Sequence, residues 1–422
     1  MSKNSTKVLR STVLSLLVCS LLLSSRLAWS IDNKVSGFLS FGAGKLDTDD
    51  ATISDYEDKW SYEVDSVFAL QFESQLRDDL SATLQMVARG HTLDKYDNWT
   101  PQVEWAYLNY KLNPTWRLRA GRLRIPYFRL SDYLEVGYAY EWVRPPLDAY
   151  PFLFANFTNH DGVELFHVGR YFEKDVTLQL FYGAFEKDTV SDGLELNIDV
   201  NQTTGLNITV GNELYTIRYS YISSVSTFNV KELDFLTQSF SSFANVDPIF
   251  SRIGNMFQIN NEPVNYNAIG FVIDYNKWLL QSDMFITRET HYFISDFKGG
   301  YLSLSYQFDV LTPYITVGAY ADKQPQQILT AITKSEALVP VGVNPVLDVV
   351  RSFGRSAILP SHYQNTQAIG LRYDIADSMD VKFEILQMNP IKNTWGNLDV
   401  DLASAPEPHT VRFYTVTFDM IF

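Results

Sequence analysis

Tyr414-Thr415-Val416-Thr417-Phe418-Asp419-Met420-Ile421-Phe422 closes the chain, and its alternation decides the fold class. Tyr414, Val416, Phe418, Met420 and Phe422 stand at every second position. Successive side chains of a strand point to opposite faces, so the segment reads as a strand with one strongly apolar face. Working back along the chain, the pattern recurs. Val381, Phe383 and Ile385 oppose Lys382 and Glu384, while Ile369, Leu371 and Tyr373 oppose Gly370, Arg372 and Asp374. Leu302, Leu304, Tyr306 and Phe308 oppose Ser303, Ser305 and Gln307. Tyr215, Ile217, Tyr219 and Tyr221 oppose Thr216, Arg218 and Ser220. Phe68, Leu70 and Phe72 oppose Gln71, Glu73 and Gln75.

The links between these segments alternate in length. Short ones are expected near 77–79, 113–115, 172–174, 223–226, 276–277, 309–311 and 375–379. Longer ones fall near 45–60, 92–100, 126–159, 188–211, 236–263, 291–297, 322–362 and 390–408. Strict short–long alternation puts turns at one end and loops at the other. That predicts an all-β fold: a transmembrane antiparallel β-barrel of about 16 strands, with periplasmic turns and extracellular loops. The neighbouring even counts are about 14 and 18, because strands are poorly marked near 212–235. A closed barrel suits lipid, where an open sheet edge would leave backbone groups unpaired. About 16 strands enclose an aqueous channel, whereas about 8 are filled by their own side chains. Small inward residues (Gly183, Gly270, Ser303, Gly370) fit an open lumen, and equally relief of strain in a curved sheet.

Residues 1–30 read as a secretory signal peptide. Lys3, Lys7 and Arg10 form a basic start, Val13–Leu23 an apolar run, and Ala28-Trp29-Ser30 a small-residue cleavage site. The apolar run is too short for a spanning helix, which needs about 18 residues. Residues 31–422 are then the barrel domain. Cys19 is the only cysteine, so this domain has no disulfide and no thiolate ligand. Of 34 basic and 49 acidic residues, four basic ones and no acid lie in 1–30, leaving 30 against 49 and a net charge of −19. That balance argues against nucleic acid as a partner. Aromatics reach 14%, with 25 Tyr and 28 Phe, as two interfacial girdles would require.

Residues 117–151 are the most unusual interior stretch. Trp116, Leu118 and Ala120 on the lipid face turn Arg117 and Arg119 inward, whereas Arg122 and Arg124 break that parity, through a bulge at Gly121 or by clearing the membrane. A charge facing mid-bilayer lipid costs about 2–4 kcal/mol, so these arginines should meet water or acids. The connection 126–159 then carries Arg129, Asp132, Glu135, Glu141, Arg144 and Asp148. Folded inward, it would narrow the barrel and set arginines opposite carboxylates, creating a transverse field. Left outside, it is a solvated, ion-paired loop. By parity the lumen also carries Glu73, Arg89, Arg218, Asp274, Asp283, Arg372, Asp374, Lys382, Glu384 and Asp419. Both signs occur, which predicts weak ion selectivity.

Several of these motifs resemble a porin family of gammaproteobacteria: the basic run Arg117–Arg124, Ser131-Asp132-Tyr133, Val136-Gly137-Tyr138-Ala139, and Trp142-Val143-Arg144-Pro145-Pro146. Tyr301–Phe308 followed by Leu311-Thr312-Pro313-Tyr314 is similar to a strand–turn–strand of the same porins. The resemblance runs from about residue 100 to the C-terminus and leaves the loops unmatched. It implies an outer-membrane pore, a homotrimer, periplasmic termini and an inward-folded third long loop. The terminal Phe422 strand resembles the signal by which the barrel-assembly machinery recognises its clients.

No H-E-x-x-H pair, glycine-rich phosphate loop or G-x-S-x-G elbow occurs, and the six histidines are scattered, so no enzyme is expected. No cofactor is expected either. The acidic stretch Asp47–Asp50 with Asp55, Glu57 and Asp58 lacks the spacing of a calcium loop, and suits loose Ca²⁺ or Mg²⁺ bridging to lipopolysaccharide. Three functions follow in order: a passive diffusion channel for small hydrophilic solutes and ions; a substrate-specific channel for sugar, phosphate or organic acid, with Tyr138, Tyr140 and Trp142 beside Arg144 as a greasy track; and a plugged structural or adhesive barrel. A plug-bearing, energy-coupled transporter is disfavoured, since no plug domain fits before the first strand.

Overall fold

Alternating side chains and tight turns produce sixteen strands, each paired antiparallel with its sequence neighbours. The sheet closes where β1 (Asp32–Leu46) meets β16 (Val411–Ile421). The computed structural model describes residues 32–91, 98–150, 158–191, 194–289, 296–322, 326–358, 361–400 and 406–422. The expected signal peptide lies outside them. At one end the links are tight. Phe172 (φ 50°) and Glu173 (φ 60°), and Asn276 (φ 48°) and Lys277 (φ 73°), form two-residue hairpins with both central residues at positive φ, the twist that antiparallel strands need. The start of β1 and the C-terminus share this side. The Phe422 backbone closes two hydrogen bonds with Gly37 at 2.8 and 3.0 Å, and its ring stacks on Phe68. A Cβ at Gly37 would sit 2.5 Å from the Phe422 ring.

The intervening strands are β2 (Val67–Arg77), β3 (Leu80–Arg89), β4 (Gln102–Lys111), β5 (Trp116–Arg124), β6 (Asn159–Tyr171), β7 (Lys174–Ser191), β8 (Leu194–Gly211), β9 (Tyr215–Val230), β10 (Ile259–Tyr275), β11 (Trp278–Glu289), β12 (Phe297–Tyr306), β13 (Leu311–Asp322), β14 (Tyr363–Ala376) and β15 (Met379–Pro390). Two sequence expectations fail here. Residues 188–211 are not a long connection but mostly β8, and the tight turn lies at 212–214, so 223–226 falls inside β9. β8 does alternate, with Leu194, Leu196, Ile198 and Val200 against Glu195, Asn197, Asp199 and Asn201, and then Leu206, Ile208 and Val210 against Asn207 and Thr209, but the polar run 201–204 interrupts the pattern. A register shift between Asn201 and Thr204 blurs it further.

The connections 231–258 and 323–362 are also not plain loops. They carry α1 (Lys231–Ser241), α2 (Pro248–Asn255), α3 (Gln326–Leu338) and α4 (Pro345–Ser356). Phe240, Phe250, Ile253, Ile328, Ile332 and Leu347 bury a small core of their own at the loop end of the barrel. No described helix is long and apolar enough to cross a membrane.

Candidate functional site

The connection between β5 and β6 enters the barrel. It leaves the rim at Ile125, reaches the turn end, and returns. Tyr138 Oη donates to the carbonyl of Asp377, in the β14–β15 turn, at 2.7 Å. On the way it buries Ile125, Phe128, Leu130, Tyr140, Trp142 and Tyr150 against inward residues of the far wall, among them Phe285, Tyr301 and Tyr314. Residues 151–157 lie outside the described structure.

Polar anchors fix the segment at each level. Near the rim, Arg218 donates to the carbonyls of Pro126 and Arg129 at 3.3 and 3.5 Å, and Arg129 donates to Gln281 at 2.6 Å. Deeper, the Trp142 indole N–H reaches Ser303 and Thr316 at 2.9 and 3.0 Å. Arg144 pairs with Asp65 at 2.5 Å, lies 3.6 Å from Glu384, and stacks over Phe413 at 4.2 Å. At the tip, Lys382 Nζ donates to the carbonyl of Gly137 at 2.5 Å and Arg372 to those of Tyr138 and Tyr140 at 2.8 and 3.1 Å. Lys382 is held by Asp419 at 3.1 Å and Asp380 at 3.7 Å, and Arg372 by Asp374 at 2.7 Å and Asp380 at 3.1 Å. Asp148, on the returning limb, bonds Gln364 at 3.0 Å and Thr366; burial away from any cation pushes its carboxyl up to about 6.

These anchors sort the residues named from sequence. Arg372, Lys382 and Glu384 do face inward, but the segment covers them; Lys382 is fully buried, so it clamps the loop and does not line an open passage. Trp142 is likewise sealed at 1% exposure and Tyr138 packs on Arg372, so neither joins Tyr140 in a greasy track beside Arg144. No bulge forms at Gly121. The β4–β5 and β5–β6 registers run unbroken, and Arg122 forms a bidentate pair with Asp161 at 2.9 Å, at the cavity rim.

The opposite wall stays accessible. Glu73 on β2, Asn109 on β4, and Arg117 and Arg119 on β5 face the lumen and keep solvent exposure, whereas the inward residues of β15 from Asp380 to Met388 and of β16 from Val411 to Asp419 are buried. Asp132 sits exposed in a short 3₁₀ turn of the inserted segment, with Glu135 one turn on. Glu135 bonds both Arg89 and Arg124; Glu104 pairs with the same two arginines, at 2.6 and 3.4 Å, and accepts from Asn159 at 2.8 Å. Arg119 pairs with Glu164 at 3.1 Å. Between segment and wall opens a cavity of about 880 Å³ at the loop end, lined by Tyr127, Tyr140, Glu104, Glu135 and Phe185 among others.

Sequence parity missed Glu104 because a register shift lies between its neighbours: Gln85 faces Trp105 while Met86 faces Val103. It missed Asp65 and Asp380 because their importance lies in what the inserted segment brings to them.

No protein-family model matches this sequence, and no curated protein matches it. Solved structures do match. The outer membrane channel DcaP of Acinetobacter baumannii gives a TM-score of 0.55 at 11% identity, covering 93% of this chain and 97% of that one. A loop L8 deletion mutant of OmpT, an outer membrane protein of Vibrio cholerae, gives 0.54 at 8% identity over 93% and 100%. OmpF of Salmonella typhi, in complex with daunomycin, gives 0.51 at 13% identity over 92% and 97%. At these identities the likeness is one of fold: this chain has the closed 16-stranded architecture found in outer-membrane barrel proteins.

Proposed function

We propose that the protein is an outer-membrane porin, a passive diffusion channel for small hydrophilic solutes and ions. One observation carries the reading: the inserted segment covers the β11–β16 wall and leaves lumen-facing charges of β2 and β5 in solvent. Transport then runs down a gradient along that lane, and no catalysis is assigned. With Asp132 and Glu135 on the segment and Arg89, Arg117 and Arg119 on the wall, a solute crosses a transverse field. Residues 1–30 direct export, Phe422 engages the barrel-assembly machinery, and the mature protein assembles as a trimer in lipid and lipopolysaccharide. Loose Ca²⁺ or Mg²⁺ bridges its acidic loop 47–58 to that lipopolysaccharide. The second reading, a substrate-specific channel, is favoured by aromatic side chains on the accessible wall.

Single-channel recording of the refolded protein in planar bilayers, in KCl with a salt gradient, tests the proposal. Ohmic steps in groups of three support an open trimeric porin. Silence from correctly folded protein refutes it and leaves a plugged structural or adhesive barrel.

A further inference from the structure

An aqueous barrel is expected to present polar side chains to its lumen. The accessible wall departs from this. Trp105 and Tyr107 on β4 and Phe166 on β6 face inward, opposite the lumen residues Gln85, Thr83 and Gln179, and all three are only half-buried. Trp105 and Tyr107 lie 6.0 Å apart edge-to-face, and the Arg119 guanidinium bridges downward, 5.7 Å from the Tyr107 ring and 4.7 Å from that of Phe166. Above them Tyr127 and Phe185 line the 880 Å³ cavity. Aromatic rings therefore stand at the cavity, on the inserted segment and β7, and again along the wall of β4 and β6. Exposed aromatic faces in a water-filled passage are costly unless something stacks on them.

The flanking charges narrow the class of solute. Arg119 is neutralised by Glu164, and Glu135 is shared by Arg89 and Arg124. Such pairs offer donors and acceptors without net charge. Of the lane charges that carry no such pair among the described residues, Arg117 is positive and Glu73 and Asp132 are negative. An ion thus finds a surplus of only one negative charge along the lane, whereas a ring with an apolar C–H face and a rim of hydroxyls finds both rings to stack on and paired charges to bond. We propose that this lane is a saccharide-binding track, taking neutral sugars of mono- to disaccharide size. The inference rests on the pore reading and adds a substrate class to it.

The test titrates maltose into single-channel KCl recordings, with benzoate and benzylammonium at equal concentration. The expected result is interruption of the KCl current by maltose, half-maximal in the millimolar range, with at least tenfold weaker block by both ions. In Tyr107→Ala the lane widens and the half-blocking maltose concentration rises at least tenfold; Trp105→Ala serves if that variant does not fold. KCl steps that ignore maltose, or block dominated by either aromatic ion, overturn the proposal while leaving the pore intact. If the folded protein passes no KCl current, the pore reading fails. The track is then decided by tryptophan fluorescence in micelles: a saturable change with maltose that is lost in Tyr107→Ala supports it, and no change overturns it.

Discussion

Replacing Lys382 by methionine should release the inserted segment from the turn end of the barrel. The ammonium is fully buried; it donates to the Gly137 carbonyl at 2.5 Å, pairs with Asp419 at 3.1 Å and Asp380 at 3.7 Å, and sits 4.9 Å beneath the Tyr140 ring. Methionine keeps the packing volume but leaves two buried carboxylates with one cation, Arg372, which reaches only Asp380. Removing one partner of a buried ion pair costs about 3–5 kcal/mol, because the remaining charge stays in low dielectric. Detaching the tip relieves this by admitting water, so the detached state should become about 10²- to 10⁴-fold more populated. Trypsin reads the change directly. Arg129 lies on the segment and is largely buried in the closed form, and cleavage of the Arg129–Leu130 bond by externally added protease should accelerate in Lys382→Met, whereas Arg144, followed by Pro145, is not a trypsin site. Single-channel current should become noisier and larger. Equal proteolysis and equal current in a variant with wild-type folded mobility would refute the clamp.

Three further expectations follow from the same geometry. The Asp148 carboxyl, raised by burial to about 6 against an ordinary 3.8, binds its proton more tightly in the folded state; stability is therefore gained as pH falls through 6 towards 4 and lost again as pH rises. The gain is about 3 kcal/mol, and the pH-dependence of the denaturant midpoint should shrink by that amount in Asp148→Asn. Arg117→Glu reverses a lumen charge that has no ion partner among the described residues, so the reversal potential in a KCl gradient should move towards cation preference; Glu384→Gln, under the segment, should leave it nearly unmoved. Phe250→Ala empties the centre of the helical cap, costing about 3–5 kcal/mol. Hydrogen exchange should speed up across α1–α4 while barrel amides keep their protection.

The barrel was legible because lipid and water impose a period of two on every spanning strand, and because tight turns punctuate it. It became illegible where the sheet rises above the apolar belt. There the polar run 201–204 breaks the alternation of β8 where its register shifts against both β7 and β9, and the strand reads as a loop although Leu194, Leu196, Ile198 and Val200 before the break keep a period of two. The helices had their own signals. Asp247 caps α2 through the Ile249 amide at 2.8 Å with Pro248 next, and Asn344 caps α4 through the Leu347 amide at 3.2 Å with Pro345 next. Those pairs of cap and proline are readable in sequence, but a strand-by-strand reading passes over them as loop.

Parity answers which face a side chain takes; it does not say what lies on that face. Arg117 and Lys382 have the same parity, yet one meets solvent and the other is sealed beneath a carbonyl that comes from 245 positions earlier in the chain. What separates them is the path of residues 125–150, and that path is set by pairings no local pattern contains: Arg144 with Asp65, Trp142 with Ser303, Tyr150 with Asp283. The lumen therefore divides into two chemistries. On the covered side, charge is spent on holding the segment in place, so neutralising it there should alter gating and stability before selectivity. On the uncovered side, charge and aromatic rings face the solute, and substitutions should alter permeation with little effect on the fold. A mutational series split along that line, Arg117 and Tyr107 against Lys382 and Asp148, separates the two roles more sharply than any count of lumen charges.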